Sequence, residues 1–324
     1  MNDVNSYLGD SIAPTTRRTY NSGFRSYERF CDQHSLPIFP LREEVLELYV
    51  CSLARRKLAF ATIKVYLSAT QYRAILQGYA HRIAQMDRLF YVMRGIRRRF
   101  GTSRNRPRRL PFTMDLLRQF FTWLTNTLNH YDASLIQAAS ALAFFGLLRS
   151  AEYTSPGRHY YNSSTLQLSD IHFRNGLMLV TIKESKTDPF KVGRIIRVAS
   201  TGLHTCPFRA MRRYLRLRHD ASGPLLIFQD GSFLTRNYLS QLIKRCFPGH
   251  SLDTHSFRIG GASAAASNGI EDSTIQILGR WSSDAYRRYI HLSDERIYEA
   301  AASMARNSRT FRIWDSSLIT STSL

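Results

Sequence analysis

The sequence predicts a mainly α-helical chain with one small antiparallel β-sheet, arranged as an N-terminal helical bundle and a larger C-terminal α+β unit. Apolar residues recur at helical spacing through most of the chain. One pair of β-type runs stands in the second half, and an arginine-rich segment with helix-breaking residues separates the two halves. A length of 324 residues is sufficient for two hydrophobic cores.

Residues 14–100 are predicted to form the bundle, after a polar, flexible N-terminus at residues 1–13. Thr15 or Thr16 can cap the first of four helices. The side chains predicted to face the core are, helix by helix, Tyr20, Phe24, Tyr27 and Phe30; Val45, Leu48, Tyr49 and Leu53; Ile63, Tyr66 and Leu67; and Ile83, Met86, Phe90 and Met93. The arginines of these helices are left on the outer faces.

An arginine-rich segment follows the bundle. Eight arginines and no acidic residue stand between Arg94 and Arg109, and Gly101 and Pro107 interrupt any helix there. Residues 101–110 are therefore predicted to be a basic interdomain linker. A solvated charge run and a nuclear-import signal are the alternative interpretations.

The second unit is predicted to span residues 111–308, followed by a C-terminal tail at 309–324. The β-type runs 177–184 and 190–198 flank a turn and predict a hairpin. Helices are predicted over 114–124, 134–148, 207–219, 235–246, 256–268, 271–278 and 294–306. The apolar stripe of the last helix, formed by Ile297, Tyr298, Ala301 and Met304, can pack on its own unit or on a second copy of the chain.

The charge of the chain points to a polyanionic partner. Lysine and arginine number 45 against 24 acidic residues, a net charge of +21, and a nucleic acid relieves such self-repulsion. A generally basic surface is the alternative. The arginines that we expect to contact DNA are Arg17, Arg18, Arg25, Arg97, Arg98, Arg99, Arg104, Arg106, Arg108 and Arg109.

Several other classes of protein are disfavoured by the sequence. It has no run of about 18 apolar residues, so we expect no membrane span. The N-terminus lacks the basic start and apolar stretch of a signal peptide, so we do not expect secretion. The four cysteines are scattered and form no CxxC pair, which predicts neither a zinc site nor a disulfide framework.

Five short motifs in the second unit carry side chains for phosphodiester chemistry. They are GLLRSAEY at 146–153, SKTDP at 185–189, HSFR at 255–258, LGRW at 278–281 and RRYIH at 287–291. Each has an ordinary structural explanation by itself, such as an arginine at the end of a buried helix or a lysine in a turn. Together they supply two arginines, a lysine, a histidine and a tyrosine. Guanidinium groups can neutralise a phosphate while a tyrosine attacks it and a lysine or histidine moves protons.

In this order and spacing the motifs resemble those of the tyrosine recombinases, or phage-integrase-type recombinases. The resemblance runs from about Thr15, where TTRRTYNSGFRSYERFC is similar to the first helix of their SAM-like core-binding domain, to Met304. It implies a C-terminal catalytic domain of the same family. The implied site residues are Arg149 as the first arginine, Glu152 as its supporting carboxylate, Lys186 as the hairpin lysine, His255 and Arg258 as the HxxR pair, and Tyr289 as the nucleophile. The phrases SKTDPF and LGRWSSDAYRRYI are similar to recombinases of eukaryotic DIRS- and Crypton-like mobile elements.

One position departs from the family pattern. The family places histidine or tryptophan directly after the glycine of LG, nine residues before the nucleophile, whereas this chain has Arg280 there and Trp281 one step later. Either Arg280 makes the hydrogen bond, or a local shift brings the ring NH of Trp281 into place. Tyr286 is a second candidate nucleophile, although the spacing favours Tyr289.

The resemblance implies a site-specific DNA recombinase or integrase that cleaves and rejoins DNA through a 3′-phosphotyrosine, without metal, ATP or another cofactor. It implies a clamp on double-stranded DNA, a tetramer on two duplexes, and a monomer without DNA. We expect a nuclear location in a eukaryote and a cytoplasmic location otherwise. The alternatives are a type IB topoisomerase-like enzyme and a domesticated DNA-binding protein that no longer cleaves.

Overall fold

The computed structural model describes residues 2–79, 83–101, 109–185, 188, 190–220, 222–290 and 294–306. The chain divides into two compact units, residues 1–107 and 108–324. It is mainly helical with one three-stranded antiparallel sheet, which confirms the predicted fold class. Within the described ranges, every helix is too short or too polar to cross a membrane.

The first unit is a helical bundle. Its helices are α1 (Asn2–Asp10), α2 (Pro14–Gln33), α3 (Glu43–Arg55), α4 (Phe60–Leu76) and α5 (Asp87–Phe100). The aromatic stripe of α2 forms the centre of the core, where the Tyr27 ring lies edge-on against Tyr49 with 5.2 Å between centroids. Leu46, Leu53 and Ile63 complete the fully buried layer around them. The apolar spacing of α2 and α4 thus predicts the faces that pack together.

Helix α1 differs from the flexible segment that the polar sequence of residues 1–13 predicts. The hydroxyl of Tyr72, on α4, donates to the carbonyl oxygen of Leu8 at 3.0 Å. Arg17, on α2, forms an ion pair with Asp10 across 3.5 Å. These contacts attach α1 to two neighbouring helices although it has little apolar surface to bury.

For two residues of the bundle, Leu48 and Phe90, the prediction that the side chain faces the core is wrong. Leu48 is 56% exposed and Phe90 is 61% exposed, whereas Leu46 and Leu89 are buried. Residues two apart on an α-helix lie about 200° apart around its axis. When the face of α3 that contains Leu46 is buried, Leu48 faces away from the core. The face with Leu46 and the face with Leu48 are both apolar in the sequence, so the pattern does not decide which one is buried.

The second unit surrounds a helix that is buried along most of its length. Its elements are α6 (Met114–Thr127), α7 (His130–Phe145), α8 (Ser150–Tyr153), β1 (Ile171–Arg174), β2 (Leu177–Ile182), β3 (Arg194–Ala199), α9 (Pro207–Leu217), α10 (Arg236–Cys246), α11 (His255–Ser267), α12 (Asp272–Gly279) and α13 (Asp294–Arg306). Every residue of α7 from Ala133 to Phe144 is buried. The unit therefore has its main core around α7, and a second, smaller apolar cluster contains Trp281 of the LGRW motif and has Tyr289 packed against it.

The predicted hairpin is present as β2 and β3, which pair antiparallel with Met178 opposite Val198. The sheet has the order β1-β2-β3, and β1, with Ile171 opposite Val180, is an addition that the sequence does not predict. Its four residues include His172 and Arg174, so its apolar signal is too short to recognise.

Two glycines allow α11 to pack very closely on its neighbours. A Cβ atom added to Gly260 would overlap the carbonyl oxygen of Phe112, and one added to Gly261 would overlap that of Phe144. Only glycine permits this approach, because any side chain would separate the two backbones. The contact fixes the start of α11, with its HxxR pair, beside the C-terminal end of α7.

Candidate active site

Arg149 and Glu152 form the first part of the site, just after α7. The prediction that Arg149 ends the buried helix is wrong, because α7 ends at Phe145 and Arg149 directly precedes the short helix α8. The backbone NH of Arg149 donates to Oε2 of Glu152 at 2.9 Å, and its Nη1 donates to Oε1 at 2.9 Å. Glu152 is 3% exposed, so one buried carboxylate fixes both the backbone and the side chain of Arg149.

Arg280 joins the same carboxylate from the end of α12. Its backbone adopts the left-handed conformation with φ +58°, which is uncommon for a residue with a side chain and turns the chain back toward α7. Its Nη2 donates to Oε2 of Glu152 at 2.9 Å. The two Nη groups also contact the carbonyl oxygens of Gly146 and Leu147, each at 3.3 Å.

Arg258, the arginine of the HxxR pair, is fully buried behind these groups. Its Nη1 donates to the carbonyl oxygen of Leu147 and its Nη2 to that of Gly279 at 2.7 Å. Burial lowers the pKa of Arg258 to about 9, and the neighbouring charge of Arg149 acts in the same direction.

Trp281 provides the aromatic side of the site. Its ring lies directly on Gly279, where an added Cβ would overlap it. The ring centroid is 4.3 Å from Cζ of Arg258 and 5.3 Å from the ring centroid of Tyr289. The glycine of the LGRW motif is thus required for the tryptophan to reach this position.

The predicted nucleophile Tyr289 lies half-buried between two rings. Its ring centroid is 5.3 Å from that of His255, at an interplanar angle of 66°, and Cζ of Arg258 is 5.8 Å away. The carbonyl oxygen of Tyr289 accepts a hydrogen bond from the Ser263 hydroxyl at 2.9 Å. The structure therefore brings together Tyr289, both residues of the HxxR pair and Trp281.

His255 is neutral at physiological pH in this environment. Burial lowers its pKa to about 4, and the positive charges of Arg109, Arg258 and Arg236 act in the same direction. A neutral imidazole has one ring nitrogen that can accept a proton. His255 therefore has a ring nitrogen free of a proton next to the Tyr289 ring, although its lowered pKa makes it a weak base.

The alternative nucleophile Tyr286 is in a different environment. It is 3% exposed, and its hydroxyl donates to Oδ2 of Asp272 at 2.8 Å. A phenol that is buried and already hydrogen-bonded to a carboxylate is poorly placed to attack an external phosphate. The surroundings of the two tyrosines favour Tyr289.

The buried cluster has an excess of positive charge. Arg149 and Arg280 both pair with the carboxylate of Glu152, whereas Arg258 donates to backbone carbonyl oxygens. The three guanidinium groups therefore stand against one carboxylate, which leaves two positive charges uncompensated within the cluster. Among the described residues, Nε of Arg258 and Nε of Arg280 have no hydrogen-bond acceptor. Buried cations without partners are costly, so such a cluster is suited to an anion.

A cavity of about 340 Å³ lies next to this cluster. Residues between β2 and β3, including Ser185 and Asp188, form one side, and Arg280, Trp281 and Ser282 form the other. The motifs SKTDP and LGRW therefore face a common space. Lys186, the predicted hairpin lysine, lies outside the described residues.

The arginines predicted to contact DNA do not all fall within the described residues. Arg104, Arg106 and Arg108 lie outside them. The others are exposed: Arg17, Arg18 and Arg25 lie on α2, Arg97, Arg98 and Arg99 lie in the last turn of α5, and Arg109 forms an ion pair with Asp253 across 3.7 Å. Arg18 and Arg25 line one groove along α2.

Three residues of the site were missed by the sequence analysis. Asp253 holds Arg109 and Arg236 beside His255, Ser263 binds the backbone of Tyr289, and Asp272 binds Tyr286. Asp253 stands two residues before the HxxR histidine, so its position could have indicated a role. Ser263 and Asp272 have no such signal. Within the part of the chain that the structure describes, no three His, Cys, Asp or Glu side chains are placed to hold a metal ion.

Solved structures with the same fold are DNA recombinases. The XerH site-specific recombinase bound to palindromic difH substrate in a post-cleavage complex is 17% identical, with a TM-score of 0.57 over 82% of this chain and 73% of that chain. A lambda integrase dimer bound to a COC′ core site is 16% identical, with a TM-score of 0.56 over 98% and 79%. The Tn1549 transposon integrase in complex with transposon right-end DNA is 14% identical, with a TM-score of 0.58 over 91% and 95%.

No family model matches the sequence, and no curated protein matches it significantly. The structural neighbours are tyrosine recombinases and integrases, and this chain has the tyrosine recombinase fold.

Proposed function

We propose that this chain is a site-specific DNA recombinase or integrase that cleaves and rejoins DNA through a phosphotyrosine formed by Tyr289. The observation that carries the proposal is the position of Tyr289. Its ring contacts His255 and lies within 5.8 Å of the Arg258 guanidinium, beside a buried cluster with two excess positive charges. The net charge of +21 supports a double-stranded DNA partner.

In the proposed reaction the phenolic oxygen of Tyr289 attacks a backbone phosphorus, and the bond from phosphorus to the 5′ oxygen breaks. Neutral His255 accepts the phenolic proton, and Lys186 gives a proton to the leaving 5′ oxygen. The products are a 3′-phosphotyrosine and a free 5′ hydroxyl. Attack by a 5′ hydroxyl from a partner duplex reverses the step, so the bond energy is conserved.

The arginines have different parts in this proposal. The Arg149 side chain is 19% exposed and is the guanidinium that can bind a non-bridging oxygen directly. Arg258 is fully buried and uses both Nη groups on carbonyl oxygens, so it contributes its charge from behind. Charge stabilisation of this kind acts strongly because the site is shielded from water.

Covalent capture on a nicked duplex tests the proposal. A nick a short distance 3′ of the scissile phosphate lets the short downstream fragment, which bears the new 5′ hydroxyl, diffuse away, and the phosphotyrosine is trapped. We expect wild-type protein to be trapped on residue 289, Tyr289→Phe to form no covalent complex while binding DNA normally, and Tyr286→Phe to retain capture. Capture by Tyr289→Phe, or a mapped attachment at another residue, would contradict it.

The two alternatives are outcomes of related assays. A type IB topoisomerase-like enzyme would relax supercoiled DNA but would not exchange strands between two duplexes. A non-cleaving DNA-binding protein would bind duplex DNA with no covalent complex at any residue. Exchange between two duplexes supports the recombinase.

We also propose that the chain acts as a homo-oligomer, a tetramer on two duplexes, and that it comes from a eukaryotic mobile element of the DIRS or Crypton kind. Ile297, Tyr298 and Met304 of α13 are exposed, which supports docking of this helix on a second copy. The phrases SKTDPF and LGRWSSDAYRRYI support the mobile-element origin.

A further inference from the structure

We propose that Arg280 is a positioning residue, which holds Glu152 and the end of α7 so that Arg149 is presented to the phosphate. The proposal rests on the proposed function and assigns a role to the residue that departs from the family pattern. It places Arg280 behind the phosphate-binding groups rather than among them.

The hydrogen bonds of Arg280 all point toward protein. Its side chain is 7% exposed, and its two Nη groups contact Glu152 and the carbonyl oxygens of Gly146 and Leu147. Among the described residues only its Nε lacks an acceptor, and that atom is buried, so although Arg280 borders the cavity it has little left with which to bind a DNA phosphate. Arg149, in contrast, is partly exposed and uses Nη1 on Glu152.

The Glu152 carboxylate links the two arginines. Oε2 accepts from Arg280 and from the backbone NH of Arg149, while Oε1 accepts from the Arg149 side chain. Arg280 and the backbone NH of Arg149 hold one oxygen, so the other oxygen is fixed in place to accept from Nη1 of Arg149. Each guanidinium gives one charge-assisted hydrogen bond, and the carboxylate that they share sets the geometry as well as the charge.

Arg280 also secures the backbone that leads to Arg149. Gly146 and Leu147 follow directly on α7, and their carbonyl oxygens belong to the negative end of its dipole. Leu147 has a positive φ of +47°, so this turn is strained and needs external bonds to persist. The left-handed backbone of Arg280 returns its side chain to this turn, and Trp281 then takes the ring position beside Tyr289.

The test compares the effect of Arg280→Ala on covalent capture in two backgrounds. In the wild-type background we expect the single-turnover rate to fall by up to about 100-fold, because Arg149 is misplaced. In an Arg149→Ala background we expect Arg280→Ala to cause no further loss. DNA binding should be unchanged, and Arg280→Lys should restore only part of the rate, since it keeps the charge and loses the fork. Arg174→Ala, which removes an exposed charge from β1, is the matched control.

An equal further loss in the Arg149→Ala background would overturn the proposal, because Arg280 would then act independently, on the phosphate or on the fold as a whole. An unchanged rate for Arg280→Ala in the wild-type background would also overturn it.

A second measurement does not depend on cleavage. Unfolding by urea of Arg280→Ala, Glu152→Ala and the double variant should give non-additive losses, and additive losses would overturn the proposal. If wild-type protein forms no covalent complex, the proposed function fails, and this unfolding cycle alone decides whether Arg280 holds Glu152.

Discussion

The indole ring of Trp281 lies against the guanidinium of Arg258, with 4.3 Å between the ring centroid and Cζ. Arg258 is fully buried, and burial lowers its pKa to about 9, so keeping its charge there is costly. A desolvated cation on an aromatic face recovers about 2 kcal/mol. The tryptophan therefore stabilises the charged form of an arginine that the proposed reaction requires.

The first prediction concerns this contact. Trp281→Leu removes the aromatic ring that packs against both the Arg258 guanidinium and the Tyr289 ring, and it should slow covalent capture by about tenfold or more because the reacting groups are misplaced. Trp281→Phe keeps a ring on Gly279 and should retain most of the rate. Single-turnover capture measures both variants, with urea unfolding as the check on folding. Wild-type capture by Trp281→Leu would show that the contact has no role in cleavage.

Much of the fold is predictable because local patterns decide it. The apolar run of α7 and the turn between β2 and β3 each specify their element without long-range information. Leu48 and β1 were not predictable in the same way. Leu48 belongs to one of two competing apolar stripes on α3, and β1 is held by pairing with β2 rather than by its own four residues.

The candidate site, like the fold, is predictable from the sequence only in part. Spacing identifies Arg149, His255, Arg258 and Tyr289, which the structure places in one cluster. The choice between Arg280 and Trp281 could not be made from the sequence, because it depends on a left-handed backbone at a residue that is not glycine. In that conformation the Arg280 side chain lies on Glu152 and the Trp281 ring lies beside Tyr289.

The second prediction concerns acid stability through His255. Its pKa is about 4 in the folded chain against an ordinary value of 6.5, so between these values the unfolded state binds more protons. The stability that neutral His255 contributes is present above about pH 6.5 and is lost as the pH falls toward 4. Urea unfolding at about pH 7 and pH 5 should show a larger loss for wild-type protein than for His255→Gln. Equal losses would mean that His255 titrates normally in the folded state.

The third prediction concerns Gly260. An added methyl group would overlap the Phe112 carbonyl oxygen, so Gly260→Ala should lower the free energy of unfolding by about 3 kcal/mol or more. Gly95 on α5 is the control, because an added Cβ there meets no described atom within 4 Å. Gly95→Ala should raise stability by about 0.5–1 kcal/mol. Equal behaviour of the two variants would contradict the close packing of α11.

The fourth prediction concerns salt. Duplex binding should weaken steeply as salt rises, because many phosphate contacts release counterions. Arg18 and Arg25 are exposed on one groove of α2, and replacing either with alanine should reduce the slope of log K against log salt by about 1. Arg118→Ala is the matched control, since Arg118 is paired with Asp115. Fluorescence anisotropy with a labelled duplex measures each slope, and a flat response of the wild type would exclude a phosphate-dominated interface.

The fifth prediction concerns the bond between Tyr286 and Asp272. This bond joins the turn that precedes Tyr289 to the first turn of α12, and the backbone NH of Tyr289 donates to the carbonyl oxygen of Tyr286 at 2.8 Å. Tyr286→Phe and Asp272→Ala should each lower the free energy of unfolding by about 1.5–3 kcal/mol, the range for a hydrogen bond to a charged group. The double variant should lose little more than the larger single loss, because both changes remove one interaction. Both single variants should still be trapped on DNA through residue 289, although more slowly, because the segment that carries the nucleophile is held less firmly. Additive losses of stability would mean that the two side chains act separately.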